Sequence, residues 1–233
     1  MYMRNTMAAM AVLTVFAAFS ACQSDSYDTG QGPYSLMQAD FVEAHTSASG
    51  FVDRVETDDG QTFSLAEPQK TVWASVTDTV YRALLYYEKT DASSSQTDVS
   101  VVRTVSISQV PTLHPTQLKA EETLLADPVK FESMWISANG KYLNIGLYLK
   151  DGKTESDSQH HTVGMIRESE TTSADGKRTV NLRFFHDQGG VPEYYSTRYY
   201  MSVPCKEIDA DSVVVTINTY NGTVERRFSL SDR

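Results

Sequence analysis

Alternation of apolar and polar side chains with a period of two is the strongest signal along this chain from Phe41 onward. In the run from Tyr142 to Lys150, Leu143, Ile145, Leu147 and Leu149 fall on one side, and Tyr142, Asn144, Gly146, Tyr148 and Lys150 on the other. Successive side chains of a strand point to opposite faces, so this segment reads as a half-buried strand. Val180, Leu182 and Phe184 repeat the pattern, as do Val213, Val215 and Ile217, and earlier Tyr81, Ala83, Leu85 and Tyr87. Between such runs stand Asp59-Gly60, Asn139-Gly140, Asp151-Gly152, Asp175-Gly176, Gly189-Gly190 and Asn221-Gly222. Pairs of this kind accept the positive φ of tight hairpins, so the chain is expected to be all-β with many short antiparallel strands. No long segment carries a 3.6-residue stripe; the best helical candidate, Thr116 to Leu125, is short.

The strands fall into two groups. Pro111 and Pro115 stand between them, removing backbone donors and favouring extended geometry in the residue before each. This places a linker at 111–126, between a first domain over 34–110 and a second over 127–233. The first has room for about five strands, which suits a small Greek-key barrel. The second has room for about seven, which suits an antiparallel β-sandwich.

The N-terminal segment follows a different logic. Arg4 precedes an uncharged run from Asn5 through Ala21, with an apolar heart from Met7 to Phe19 and polar Gln23-Ser24-Asp25 close behind. A spanning helix needs about 20 predominantly apolar residues, so residues 1–21 read as a signal peptide instead. Ser20-Ala21 before Cys22 resemble a bacterial lipobox, with Phe19 where Leu is usual. Cys22 is then the acylated N-terminus and the point of attachment to a membrane. Two or three acyl chains hold stably, since each buried CH₂ contributes about 0.8 kcal/mol and one chain is marginal. Residues 22–33 contain no Val, Ile or Leu and read as an acidic flexible tether.

Composition narrows the function. Of 233 residues, 40% are hydrophobic, enough for a packed core. The net charge of −10, one unit more negative once Arg4 is cleaved away, argues against nucleic acid as a partner, because such binding depends on Lys and Arg neutralising phosphates. With Cys22 acylated, Cys205 is the remaining thiol of the two cysteines, and no intramolecular disulfide is available. Its place between Pro204 and Lys206, at an expected strand end, suits a structural role.

Asp127-Pro128, Trp135-Ile136-Ser137, Tyr142-Leu143-Asn144-Ile145 and the strand ending Phe184-Phe185-His186 together resemble the NigD-like lipoprotein family of Bacteroidota-type bacteria. The lipobox at Cys22 and the Asp58-Asp59-Gly60-Gln61-Thr62 hairpin fit the family's N-terminal half. The resemblance implies an OB-like N-terminal barrel followed by a C-terminal β-sandwich; with the lipobox at Cys22, the expected location is the cell envelope, lipid-anchored at the outer membrane. It brings no catalytic residue, because the family's biochemical role is not established. The polar stretch Asp151 to Gln159 and Asp187-Gln188 depart from the family pattern, both at expected loops.

The chain holds no G-x-S-x-G elbow, G-x-G-x-x-G, P-loop, H-E-x-x-H or C-x-x-C, so no catalytic residue, cofactor or metal is expected. His160 and His161, adjacent on a strand entrance, would point to opposite faces; His161 with His186 makes at most a partial metal site. Trp135 is expected in the sandwich core, and Trp73 reads equally as core or as a ligand platform. Taken as a strand, residues 194–203 put Tyr195, Tyr199, Met201 and Val203 toward the core. Tyr194, Ser196, Arg198, Tyr200 and Ser202 take the other face. Tyr194, Arg198 and Tyr200 are therefore the candidate binding surface, since tyrosine beside arginine is a composition favoured at interfaces. The plain alternative is cross-strand aromatic packing. The expected function is a non-enzymatic, lipid-anchored envelope protein that binds a protein partner, with a glycan as the alternative ligand.

Overall fold

The structure, a computed structural model, describes residues 36–93, 99–118, 124–154, 156 and 159–230. The expected signal peptide, Cys22 and the tether lie outside the described residues. Among the described residues no helix is long and apolar enough to cross a membrane.

Strands β1 (Gln38–Thr46), β2 (Val52–Thr57), β3 (Thr62–Gln69), β4 (Val80–Ser93) and β5 (Ser100–Gln109) close into a barrel in the order β1-β2-β3-β5-β4. All neighbours are antiparallel except β3 and β5. Every second residue points inward, so Val42 and Ala44, Phe63 and Leu65, and Ala83, Leu85 and Tyr87 fill the interior. A register shift in the β2–β3 pairing lets both Val52 and Val55 join them, although three positions separate the two.

The second group contains β6 (Pro115–Thr116), β7 (Lys130–Ile136), β8 (Tyr142–Asp151), β9 (Thr162–Thr172), β10 (Arg178–Asp187), β11 (Tyr195–Pro204), β12 (Ser212–Thr219) and β13 (Gly222–Ser229), with the one-turn helix α1 (Cys205–Ile208) between β11 and β12. They form a five-stranded sheet, β13-β12-β10-β9-β6, and a three-stranded sheet, β11-β8-β7. Leu143, Ile145, Leu147, Leu149, Met201 and Val203 from the smaller sheet meet Val180, Leu182, Phe184, Val213, Val215 and Ile217 from the larger, all buried. The alternation that marked these residues in the sequence is the pleat of a strand buried on one face.

The expected barrel and sandwich are both present, with two parallel pairings inside the larger sheet. β10 runs parallel to β12 because the chain leaves that sheet after β10, crosses to the other as β11 and returns through α1. β6 runs parallel to β9. Four of the six turn dipeptides close hairpins, between β2 and β3, β7 and β8, β9 and β10, and β12 and β13. Asp151-Gly152 instead ends β8 at a close approach, where a Cβ on Gly152 would lie 2.8 Å from Pro192, and Gly189-Gly190 lies in the crossing between sheets. The short helix expected over Thr116 to Leu125 is not seen at either end: Thr116 pairs with Ile166 of β9, and the Leu125 carbonyl accepts from the His186 amide at 3.2 Å.

Barrel and sandwich share one compact unit, and a buried arginine ties them. Arg82 of β4, with its side chain 1% exposed, donates to both carboxylate oxygens of Asp58 at 2.6 and 2.7 Å. It also donates to Asn144 Oδ1 of β8 at 3.1 Å and to Ser202 Oγ of β11 at 3.2 Å. The Tyr142 ring lies 4.2 Å from the guanidinium carbon, and the Phe41 ring 5.3 Å. Lys141 reaches back to the barrel at Glu43 (2.7 Å) and Glu56 (2.8 Å).

Candidate functional site

Strand β11 carries the residues singled out by composition, and its register with β8 is unbroken from Tyr195 to Pro204. Tyr195, Thr197, Tyr199, Met201 and Val203 share the side of the strand that turns toward the larger sheet, with burial rising from exposed Tyr195 at the strand's start to buried Met201 and Val203, while Ser196, Arg198, Tyr200 and Ser202 take the other side. The outward row meets two environments. Ser202 is fully buried at the arginine that joins the two halves. Tyr200 is covered as well: Phe41 of the barrel stands edge-on to its ring at 5.2 Å, and Trp135 at 6.4 Å. The face expected to be open at Tyr200 is therefore closed by the barrel. Trp135, expected in the sandwich core, is opposite Asn144 and joins Phe41 and Tyr200 in this aromatic seam. Trp73 stacks edge-on to Tyr81 and packs, half-buried, against the barrel core.

Arg198 stands on the open part of the row. Its guanidinium donates to the Tyr148 hydroxyl at 2.8 and 3.1 Å and pairs with Glu132 at 2.8 Å, a cross-strand ladder over β7, β8 and β11. Tyr194, just before the strand, is 79% exposed, and Tyr195 is 55% exposed.

The inward side of β11 borders a cleft of about 350 Å³ at the edge of the sandwich, where the two sheets part. Leu149, Val163, Val191 and Met201 give it an apolar lining, and Asp151, Thr154, Gln159, His160, His161 and Tyr199 contribute polar groups. Asp151 is held below the usual carboxylate range: burial pushes it upward, but hydrogen bonds from the Gly152 amide and the Tyr199 and Thr197 hydroxyls outweigh that. Burial and this carboxylate push Tyr199 up to about 12, so it stays protonated and donates to Asp151 at 3.0 Å.

His161 and His186 come together, with Nδ1 of His161 3.2 Å from Nε2 of His186. The other nitrogen of His186 lies 3.1 Å from the Asp127 carbonyl, which only accepts. Hydrogen-bond order therefore assigns the tautomers: His186 donates from Nδ1 and accepts at Nε2 from His161. Burial pushes His186 below its ordinary value and so favours its neutral form. Two imidazoles are fewer than the three or four ligands of a zinc site, and among the described residues no carboxylate or thiol completes the set. Glu43, His45 and Glu56 do converge. There the Lys141 ammonium already bridges both carboxylates. Arg54 donates to His45 Nδ1 at 3.1 Å, where a metal-bound imidazole would need an acceptor. Cys205 begins α1, half-buried against the sandwich core.

Two features escaped the sequence: the buried arginine and the cleft. Asn144 gave the available signal for the first, as an amide on a strand with four aliphatic neighbours on its other face. Nothing local marks the cleft, which exists only where two sheets separate.

A small OB-like barrel fused to a β-sandwich defines a class of two-part β proteins. A family model, the NigD-like C-terminal beta sandwich domain, matches residues 110–230, and the chain belongs to the NigD-like family. Among solved structures it is similar to a NigD-like immunity protein from Bacteroides caccae, at 23% identity over 82% of this chain and 96% of that one, with a TM-score of 0.60. It is also similar to a protein of unknown function from Bacteroides vulgatus (15%, 83% and 90%, 0.62). A third likeness is to a Bacteroides fragilis protein provisionally named a lipoprotein (10%, 82% and 96%, 0.58). No curated protein matches the chain.

Proposed function

We propose that this chain is a non-enzymatic protein of the cell envelope, anchored to the outer membrane through acylated Cys22, and that it binds a protein partner through the end of the sandwich that carries Tyr194 and Tyr195. The observation that carries this reading is the exposure of two tyrosines, 79% and 55%, side by side at the start of β11. Large aromatic side chains left in water at a sheet margin give contact area at low entropic cost. Further support comes from two similar proteins, an immunity protein from Bacteroides caccae and a provisionally named lipoprotein from Bacteroides fragilis: immunity requires binding, and a lipoprotein requires an anchor.

The test is a photo-crosslinking amino acid placed at Tyr195 in intact cells, with Asp175 at the β9–β10 turn as control. A discrete protein adduct from position 195 and none from 175 is the expected result. No adduct, with the purified protein retaining a defined glycan, replaces the protein reading by a carbohydrate one. Radiolabelled palmitate should enter the wild type and not Cys22→Ala; equal label in both removes the anchor.

A further inference from the structure

Four strands end the two sheets of the sandwich, and three are protected against pairing with another chain. β6 has two residues and begins with Pro115. β7 carries Lys130 and Glu132 and a register shift between Phe131 and Ser133. β13 carries Glu225, Arg226 and Arg227 in succession. Short length, proline, bulges and charge are the devices by which natural edges avoid association. β11 has none of the first three over Tyr195–Met201: it is ten residues long, pairs with β8 without a shift, meets proline only at Pro204, and bears Arg198 as its one charge.

The chain itself shows what fits this edge. The Ser202 amide donates to the Pro111 carbonyl at 3.0 Å, and the Leu113 amide donates to the Ser202 carbonyl at 2.8 Å, in a parallel bridge that sends the buried Leu113 into the core. Because Ser202 turns its backbone groups outward, strand alternation turns those of Tyr200, Arg198 and Ser196 the same way. Beyond their place in the β8 pairing, none of these three makes a backbone bond among the described residues. Beside them lies the apolar cleft, bounded by Pro111 where the chain's own segment leaves off, and floored by Leu149, Val163 and Met201.

We propose that the Ser196–Tyr200 edge of β11 receives an extended strand from a protein partner, whose main chain pairs with the outward amides and carbonyls while an apolar side chain enters the cleft as Leu113 enters the core. This is strand addition at a sheet edge, in which main-chain bonds give affinity and pockets for alternate side chains give selectivity. The inference rests on the protein-partner reading and specifies its mode.

The test is amide hydrogen exchange on the full chain with a short synthetic peptide alternating Thr and Leu, capped by Lys at each end for solubility. Exchange at Arg198 and Tyr200 should slow about tenfold with the peptide. The effect should vanish in Ser196→Pro, which removes an outward donor and no bond to β8. It should also weaken with an all-Thr peptide on wild-type protein, which needs no variant to fold. No slowing, equal slowing in Ser196→Pro, or equal slowing by the all-Thr peptide overturns the proposal. So does protection already present without peptide: independence of protein concentration assigns the edge to a segment of this chain, and dependence on it assigns a second copy. If position 195 crosslinks a protein partner equally in Ser196→Pro, strand docking fails while the protein-partner reading stands.

Discussion

Replacing Arg82 by methionine is the most informative single change in the molecule, because it keeps the aliphatic stem and removes the group that joins barrel to sandwich. Loss of one partner from a buried, hydrogen-bonded ion pair costs about 3–5 kcal/mol. Asp58 is 18% exposed, so water partly re-solvates the orphaned carboxylate and places this cost near about 3 kcal/mol. Asn144 Oδ1 keeps its bond from the Ser202 hydroxyl at 2.7 Å and adds little to the loss. The Tyr142 and Phe41 rings, 4.2 and 5.3 Å from the guanidinium carbon, lose a desolvated cation, which adds about 1 kcal/mol. The total, about 4 kcal/mol, lowers the melting temperature by about 8–16 °C for a chain of this size. Calorimetry should also show one transition becoming two, since the barrel core and the sandwich core lose their shared polar link. Arg82→Met with Asp58→Leu should be more stable than the two losses added together, by at least about 1.5 kcal/mol, because the stranded carboxylate is then gone. A drop under about 4 °C, or strict additivity in the double variant, refutes the assignment of Arg82 as the tie.

Other perturbations test other parts. His186 and His45 are both held below the ordinary histidine value by burial, so the unfolded chain binds more protons as the solution is acidified. Stability is then fully present above pH 6.5 and declines below it, by at most about 1.4 kcal/mol per pH unit for each group; urea unfolding of His186→Gln should show a shallower pH slope, and an unchanged slope contradicts this. Burial alone would raise Glu43, but hydrogen bonds from Lys141 and Tyr142 outweigh it and hold its carboxyl below 4.5. Its contribution is present above that value and lost as pH falls through the folded one, so Lys141→Met should raise the Glu43 midpoint in an NMR titration; no movement removes the bridge. Gly152→Ala forces a methyl against Pro192 and should destabilise by about 1–3 kcal/mol in denaturant melts, with wild-type stability showing that the loop yields.

The strands were legible because burial on one face prints an alternation directly into the chain: Leu143 to Leu149 and Val213 to Ile217 announce their inner faces without reference to anything distant. The outer faces carry no such print. Arg82, Asn144, Trp135, Tyr200 and Ser202 all occupy polar-side positions of half-buried strands, and each reads as solvent-facing or as core by residue type alone. What buries them is the barrel, whose contact with β8 and β11 joins residues 62 and 120 positions apart in sequence at Arg82. The family motifs become intelligible on the same ground, since Asp58 and Asn144 both bind that guanidinium, while Asp127 and His186 bind each other through backbone and ring. The candidate surface divides accordingly. Tyr200 is held under the barrel, Arg198 is held in a ladder with Tyr148 and Glu132, and Tyr194 stands in water with Tyr195 beside it. A partner that reached all three of the expected residues would have to displace the barrel. One that lies along the edge of β11 meets Tyr194, Tyr195 and the outward main chain with every existing contact intact, and that difference in cost is why the edge, rather than the face, is where binding is expected.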